Sequence, residues 1–432
     1  MAVMSDEFGV WGATAPAAAA GESLRDAIEC EVAIIGAGYT GLSTALHLAE
    51  RGLSAVILEA REPGFGASGR NTGWVEPNWW LKRPADIVAM HGAERASLLS
   101  RWVANGPMLL ERWDAQHGLD LQLDQRGLLL ASDDPAKTAA LEAEVRDWQA
   151  LGIANEFLDG AAVARAVAVA PGRYRGAMLL RNGMTLNPLA LCRGLARACR
   201  QSGARIFERS PVTAMTREAA GWRLATAQGQ VRCRRLVLAT DAYTRELWPQ
   251  LAAAFSTWHV ALIASEPYPE LRKLLPGGHA FADMGLANIF TLRGTPQDHL
   301  VTSTFAPLRR KLPAAAVARP FMRKFARVFP GRPLPRWLYV HFGEIGMSQD
   351  MLPHVCRVGP DAWTAYGYSG TGINFALLLG SQLAELAAGG REQDLVFPTV
   401  SLAPIKLRRT ASFVLRYVHA PLARHVVSRI AR

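Results

Sequence analysis

Cysteine is scarce in these 432 residues: there are five, an odd number, and no two form a C-x-x-C pair. That excludes a disulfide scaffold and a cysteine zinc site, and it fits reduced thiols in a cytoplasmic protein. Long apolar runs are also missing. The nearest candidate, 373–388, is broken by Asn374, Gln382 and Glu385, so no membrane-spanning helix is expected. A secretory pattern is lacking too, because Asp6 and Glu7 occupy the place of a basic n-region and Pro16 interrupts the alanine-rich 13–20 stretch. Acids are absent from two long stretches: 299–343 carries nine Lys/Arg and 395–432 carries seven. These hold sixteen positive charges against an overall net of +11, which leaves the rest of the chain acidic by five. Neither stretch carries a helix-turn-helix, zinc-finger or RNP-like pattern, so nucleic acid is not an expected partner. There is no tandem repeat, no nucleophile triad and no metal-ligand spacing.

What is present is concentrated in residues 31–73. A short β-branched run, Val32-Ala33-Ile34-Ile35, leads into Gly36-Ala37-Gly38-Tyr39-Thr40-Gly41, a G-x-G-x-x-G. In that arrangement Gly36 permits a tight turn, Gly38 lets backbone approach a pyrophosphate, and Gly41 lets the following helix sit close to the sheet. The helix ends near Gly52. A second strand, 54–58, closes on Glu59, 23 positions after Gly36, where a carboxylate accepts hydrogen bonds from a ribose diol and repels a 2′-phosphate. This is a dinucleotide-binding βαβ unit. A bare strand–turn–helix junction is the competing explanation, but strand, helix and acid all stand where the binding function requires them.

Along the chain, 1–29 reads as a loose N-terminal arm and 30–84 as the first part of the dinucleotide domain. Helical spacing over 85–117, an alternating strand at 119–131 and a helix at 135–151 break the βα rhythm, so 85–159 is assigned to an inserted second domain. The first domain resumes at 160–249, with a helix opened by Asn187 as N-cap and Pro188 at N1. A hairpin around Gly229 and a buried strand ending at Thr240 follow. Strand-like runs between prolines and glycines place the main sheet of the second domain in 250–352, with a basic helix at 314–329. Residues 353–390 return to the first domain, and 391–432 form a basic tail. Its Val414, Val418, Leu422, Val426 and Ile430 recur every four residues, beside Arg416, Arg424 and Arg429. Such a helix, kinked at Pro421, either docks on the protein itself or touches an anionic membrane surface, making the protein peripheral there.

The stretches GFGASGRNTG (64–73), LVLATDAYT ending the 235–240 strand, MSQDMLPHV (347–355) and GYSGTGINFALLLG (367–380) resemble the FAD-dependent glycine/D-amino-acid oxidase-like family, in particular its bacterial branch of γ-glutamylputrescine oxidases. The resemblance spans residues 10–390 and implies an α/β fold: a Rossmann-like FAD-binding domain with an interleaved α+β substrate domain on a mostly antiparallel sheet. The residues themselves also favour a flavin, because a second and a third glycine-rich loop, the latter at 367–372, accompany the first. Backbone N–H groups and a helix N-terminus in such loops suit the electron-rich edge of the ring. By resemblance, Gly36, Ala37, Gly38, Tyr39, Thr40 and Gly41 hold the pyrophosphate, and Glu59, Ala60 and Arg61 hold the adenosine ribose. Ala67, Ser68, Arg70 and Asn71 lie along the pyrophosphate and isoalloxazine, Val212 meets the adenine, Thr240 sits near the phosphates, and Gly370, Thr371, Gly372 and Ile373 stand at the ring edge. For Ser68 and Thr240 a local turn bond is the alternative. The two places where some relatives carry a covalent link hold Phe342-Gly343-Glu344 and Gly69-Arg70-Asn71, so FAD is expected to be non-covalent.

The family reaction implies oxidation of a C–N bond in an amine or amino acid, with oxygen, or alternatively a quinone or carrier protein, as electron acceptor. No lysine stands at 300–302, where some oxidases place one to activate oxygen. His341 is a candidate proton acceptor or a packed strand histidine. Glu344 either attracts a cationic tail or pairs with a nearby arginine. Tyr368 is the third catalytic candidate. Trp74, Tyr366 and Arg293 are pocket candidates, with Arg293 available for a carboxylate, and Trp79 and Trp80 are either pocket walls or core. Phe342, Cys356 and Asp241 depart from residues usual in the branch. A flavin hydroxylase is disfavoured because 352–363 lacks a G-D-A motif, and a non-enzymatic binding protein has no use for three such loops.

Overall fold

The computed structural model describes residues 7–79, 82–284, 290–306 and 312–405. The expected C-terminal helix and its stripe, like Trp80, lie outside them.

Two eight-stranded sheets carry the fold. In the first, Ala27–Ile35 is central, with Ala55–Leu58 and then Arg205–Phe207 parallel on one side and Gln230–Leu238 and then Ala362–Tyr366 parallel on the other. The central strands are buried on both faces, which is why Val32–Ile35 and 55–58 are uniformly apolar. His354–Gly359 closes one edge antiparallel, and the hairpin Ala214–Glu218/Gly221–Ala225 leans on Gln230–Leu238. The helix Tyr39–Ala49 packs against Pro188–Gln201 and Gly372–Ala387. Asn187 caps Pro188–Gln201 as expected, accepting from the N–H groups of Leu189 and Ala190 at 3.1 Å each.

The second sheet runs Trp337–Met347, Ser256–Pro267, His299–Phe305, Phe290–Gly294, Ala280–Asp283, Leu128–Ser132, Gly176–Leu180 and Glu156–Asp159. It is antiparallel except for the pairing of Ala280–Asp283 with Leu128–Ser132. The amphipathic helix Ala314–Val328 covers it, stacking Phe321 on Phe290 at 4.5 Å. Among the described residues no helix is long and apolar enough to cross a membrane.

Three expectations are corrected. The N-terminal arm is not loose: Phe8, Val10 and Trp11 are buried, and Ala27–Glu29 already belong to the central strand. Residues 176–180, assigned to the dinucleotide domain, pair with Leu128–Ser132 and Glu156–Asp159 in the second sheet, so the boundary at 160 falls too early. Most of the 119–131 strand is a loop, because Asp120 and Gln122 take φ of 60° and 52°, outside any strand; only Leu128–Ser132 is extended. The start of the basic tail lies against the protein, with Phe397 N–H donating to Gln382 and Val400 N–H to the Val355 carbonyl, while the helix expected beyond it is outside the described residues.

The crossing of Tyr39–Ala49 with Gly372–Ala387 is tight. Ser43 Oγ donates to the Leu377 carbonyl at 2.6 Å, and a Cβ on Gly380 would lie 2.2 Å from Ser43 Oγ. Gly380→Ala therefore has to push the helices apart, and we expect it to cost about 1–3 kcal/mol, read as a lowered Tm, with Ser43→Ala in the same chain recovering part of the loss.

Candidate active site

The turn at 36–41 is built by its glycines. Gly36 has φ of 104°, and a Cβ there would meet the Ala239 carbonyl at 2.8 Å; a Cβ on Gly41 would meet the Gly36 carbonyl at 2.0 Å. Glu59 closes the turn from the second strand. One carboxylate oxygen accepts from Ala37 N–H (2.8 Å) and the other from Arg61 N–H (2.9 Å), and burial raises its pKa. Each oxygen keeps a further lone pair for a ribose hydroxyl.

From this turn a cavity of about 1110 Å³ runs between the sheets to the N-terminus of Gly372–Ala387. Both helices that point at it, Tyr39–Ala49 and Gly372–Ala387, begin without a side-chain bond from their N-cap residues, and although Ser68 takes the Tyr39 N–H, their positive ends face an anion or an electron-rich ring edge. Sixteen of the nineteen expected cofactor residues line this cavity. Ala37, Gly41 and Thr371 stand behind the wall: Ala37 holds Glu59, Gly41 packs on Gly36, and Thr371 donates to the Tyr368 carbonyl (3.1 Å).

The wall fits FAD on two further observations. Arg70 lines the cavity, and its Nε is buried without an acceptor among the described residues, which suits a neighbouring phosphate. A Cβ on Gly372 would meet nothing within 4 Å among the described residues, and because Gly372 lines the cavity, that open space is room for a ring edge.

Other side chains are spent on the loops. Asn71 Nδ2 donates to the carbonyls of Ala67 and Ser68 and to Tyr39 OH, and its Oδ1 accepts from Gly73 N–H. Ser68 Oγ accepts from Tyr39 N–H (3.1 Å), and Thr240 pairs with Thr244 (2.6 Å). Val212 lies in the wall with Pro211 and Thr213.

Of the catalytic and pocket candidates, the structure brings Tyr368 and Trp74 to the cavity. Tyr368 OH bonds Thr40 Oγ1 at 2.5 Å, and burial raises its pKa. Four others are not in the wall. His341 donates from Nε2 to the Arg70 carbonyl (3.1 Å), and burial lowers its pKa to about 4. Glu344 pairs with Arg245 (3.3 Å) and His259 (3.5 Å), the alternative foreseen for it. Arg293 is 2% exposed, with Nη1 and Nε on main-chain carbonyls. Tyr366 packs on Phe255 and His354. Trp79 is core, donating to Ser100 (2.9 Å). The sequence reading missed Glu76, Tyr243, Thr291 and Ser303, all in the wall. For Glu76 the available signal was an acid set among tryptophans in 74–80.

A two-domain fold with a glycine turn, a ribose acid and a second helix N-terminus facing one cavity defines a flavin-dependent oxidoreductase. The model of the FAD dependent oxidoreductase family, DAO, matches residues 31–386. The chain is 31% identical over 395 residues to γ-glutamylputrescine oxidoreductase of Escherichia coli K12, covering 90% of this chain and 91% of the relative. It is 24% identical over 387 residues to glycine oxidase of Geobacillus kaustophilus, covering 88% and 97%. Among solved structures, that organism's glycine oxidase superposes with a TM-score of 0.70 at 21% identity over 88% of this chain and 99% of the other. L-Proline dehydrogenase of P. horikoshii does so with 0.71 at 17% identity over 85% and 96%. The chain belongs to the DAO family of FAD-dependent oxidoreductases, acting on amines or amino acids.

Gly372→Leu should fill the open space and weaken FAD binding by about tenfold or more, measured by fluorescence titration of the cofactor-free protein, while the cofactor-free Tm is unchanged. Acid is expected to destabilise the fold through two histidines held neutral by burial, His341 and His47, both near pKa 4. Their folded pKa lies below the unfolded value, so the unfolded chain binds more protons and stability falls as pH drops from about 6.5 toward 4. By pH 5 each costs about 2 kcal/mol, measurable by denaturant titration, and His341→Gln should remove roughly half of that loss.

Proposed function

We propose that this protein oxidises a C–N bond of a small amine. Bound FAD supplies the acceptor for the hydride leaving the carbon next to nitrogen, and the imine product hydrolyses to a carbonyl compound plus ammonia or amine. The choice of amine over amino acid rests on Arg293. Its Nη1 donates to the carbonyls of Thr72, Gly73 and Leu186 and its Nε to that of Gly294, so it is structural rather than a carboxylate clamp. The arginines that do line the cavity are placed elsewhere. Arg61 and Arg70 both lie over Phe65, with Arg70 also over Phe8, and Arg245 pairs with Glu344. The E. coli relative, a γ-glutamylputrescine oxidoreductase, supports the same choice. The chain's own contribution is to position the amine against the ring edge and to exclude water between the two sheets.

FAD is held without a covalent bond in this reading, since among the described residues the cavity wall contains no cysteine and no histidine. Oxygen is the proposed electron acceptor. A second reading, with a quinone or carrier protein, is favoured by the absence of lysine from that wall.

Anaerobic addition of alkylamines and diamines should bleach the flavin bands, and acid precipitation should leave the flavin in the supernatant. Bleaching by amino acids alone would overturn the amine reading. Reoxidation faster by an artificial dye than by oxygen would select the second acceptor.

A further inference from the structure

One carboxylate in the cavity stands apart from the rest. Glu59 is engaged by two N–H groups, Asp241 accepts from Gly346 and Gly367 N–H, and Glu246 is exposed. Glu76 also lines the cavity, yet no hydrogen bond or ion pair reaches it from the described residues. Burial alone pushes its pKa up to about 8.

Its backbone is pinned on both sides. The preceding strand Trp74–Val75 pairs with Met184–Thr185 and packs on Gly372–Ala387. Three residues beyond, Trp79 lies against Phe375 at 5.6 Å. Glu76 therefore sits beside the first turns of the last helix, at the opposite end of the cavity from Glu59 and Val212. Among the described residues no charged side chain acts on it. The helix contributes Ile373 and Ala376, and the facing strands contribute Val260, Thr291 and Ser303. Arg293, on the same strand as Thr291, is held on the carbonyls of Thr72, Gly73 and Leu186.

Glu76 is half-buried, exposed only where it lines the cavity, and a carboxyl group desolvated there without a partner marks a place that a ligand can complete. An amine in water is mostly protonated, and only its neutral form can release a hydride. We propose that Glu76 receives the substrate's ammonium group and takes one proton from it, which makes this end of the cavity select cationic amines over carboxylates. An N–H bond breaks, an O–H bond forms on the carboxylate, the lone pair stays on nitrogen, and no electrons are exchanged in this step. The assignment deepens the amine-oxidation reading and rests on it.

The test uses the FAD-loaded protein and butyltrimethylammonium, a cation with no N–H and no oxidation route, followed by calorimetry in two buffers of different ionisation enthalpy. The wild-type protein should bind it at pH 7 with release of about one proton, as the cation draws Glu76 into its charged form. Glu76→Gln should bind it about tenfold more weakly or worse and release none, with flavin content and Tm unchanged. Glu76→Asp, which keeps the charge, should recover binding in part. Valerate should bind poorly to the wild-type protein, and Glu76→Gln should not weaken it further. Equal affinity of wild type and Glu76→Gln for the cation, or tighter binding of valerate than of the cation by the wild type, would overturn the assignment. If amines bleach the flavin but the variant holds the cation undiminished, the role of Glu76 falls and amine oxidation stands; if no amine bleaches it, amine oxidation itself falls.

Discussion

The second sheet is joined to the loop of the cofactor domain at a buried guanidinium. Arg293, on a strand of the second sheet, donates to Thr72 (2.9 Å), Gly73 (3.3 Å) and Leu186 (2.8 Å). Buried carbonyls left without donors would each cost a sizeable fraction of the stability of such a fold. A planar fork with several N–H groups serves several of them at once, which an ammonium cannot do as well. Desolvation lowers the Arg293 pKa to about 9, partly offset by the charge of Asp124. Through Thr72 and Gly73 the guanidinium fixes the loop that carries Ser68 to Asn71. Through Leu186 it fixes the residue before the Asn187 cap. The helix that follows starts at Pro188, whose carbonyl accepts from Tyr39 OH at 3.2 Å. The cofactor turn is thus held, at two removes, by a side chain from the other domain.

Cross-links of the same kind join the three glycine loops. Asp241, at φ of 38°, accepts from Gly367 N–H in the third loop and from Gly346 N–H in the second sheet. Tyr368 then ties the third loop to Thr40 in the first. This accounts for an acid at 241: a neutral glycine could not hold both N–H groups. The cavity between the loops is divided electrically. One end offers the N-terminus of Tyr39–Ala49, backbone N–H groups and Arg61 to phosphates, and the other sets Glu76 beside the N-terminal turns of Gly372–Ala387 among apolar and hydroxyl side chains.

The sequence revealed what is local. The parallel strands, the glycine turn with Glu59, the Asn187–Pro188 helix start and the 314–328 helix all follow from patterns a few residues long, and the cofactor wall followed from them. Pairings between distant segments were not legible. Residues 176–180 read equally well in either domain until their strand neighbours were known. Residues 119–127 keep an in–out alternation in Leu119 and Leu121, but left-handed residues impose it, and no period-2 argument separates the two cases. Arg293 reads as available for a carboxylate, and Glu344 and His341 read as open between a chemical and a packing role, because the partners that occupy them come from elsewhere in the chain. Glu76 is the reverse: what singles it out is the lack of a partner among the described residues, and a sequence does not display that.

The N-terminal hook has a consequence for how the protein is made. Trp11 donates from its indole to the Asn71 carbonyl at 2.9 Å, Phe8 lies under Arg70, and Gly9 fits against His341 with no room for a Cβ. His341 in turn bonds Arg70 across 271 positions, and Arg293 reaches Thr72 across 221. During synthesis the glycine turn and Glu59 emerge early, but the strands that brace their loop, and the helix that receives the ring, emerge only near the other end of the chain. Flavin capture is therefore a late event, and for most of translation residues 8–11 are an apolar segment waiting for a surface that does not yet exist.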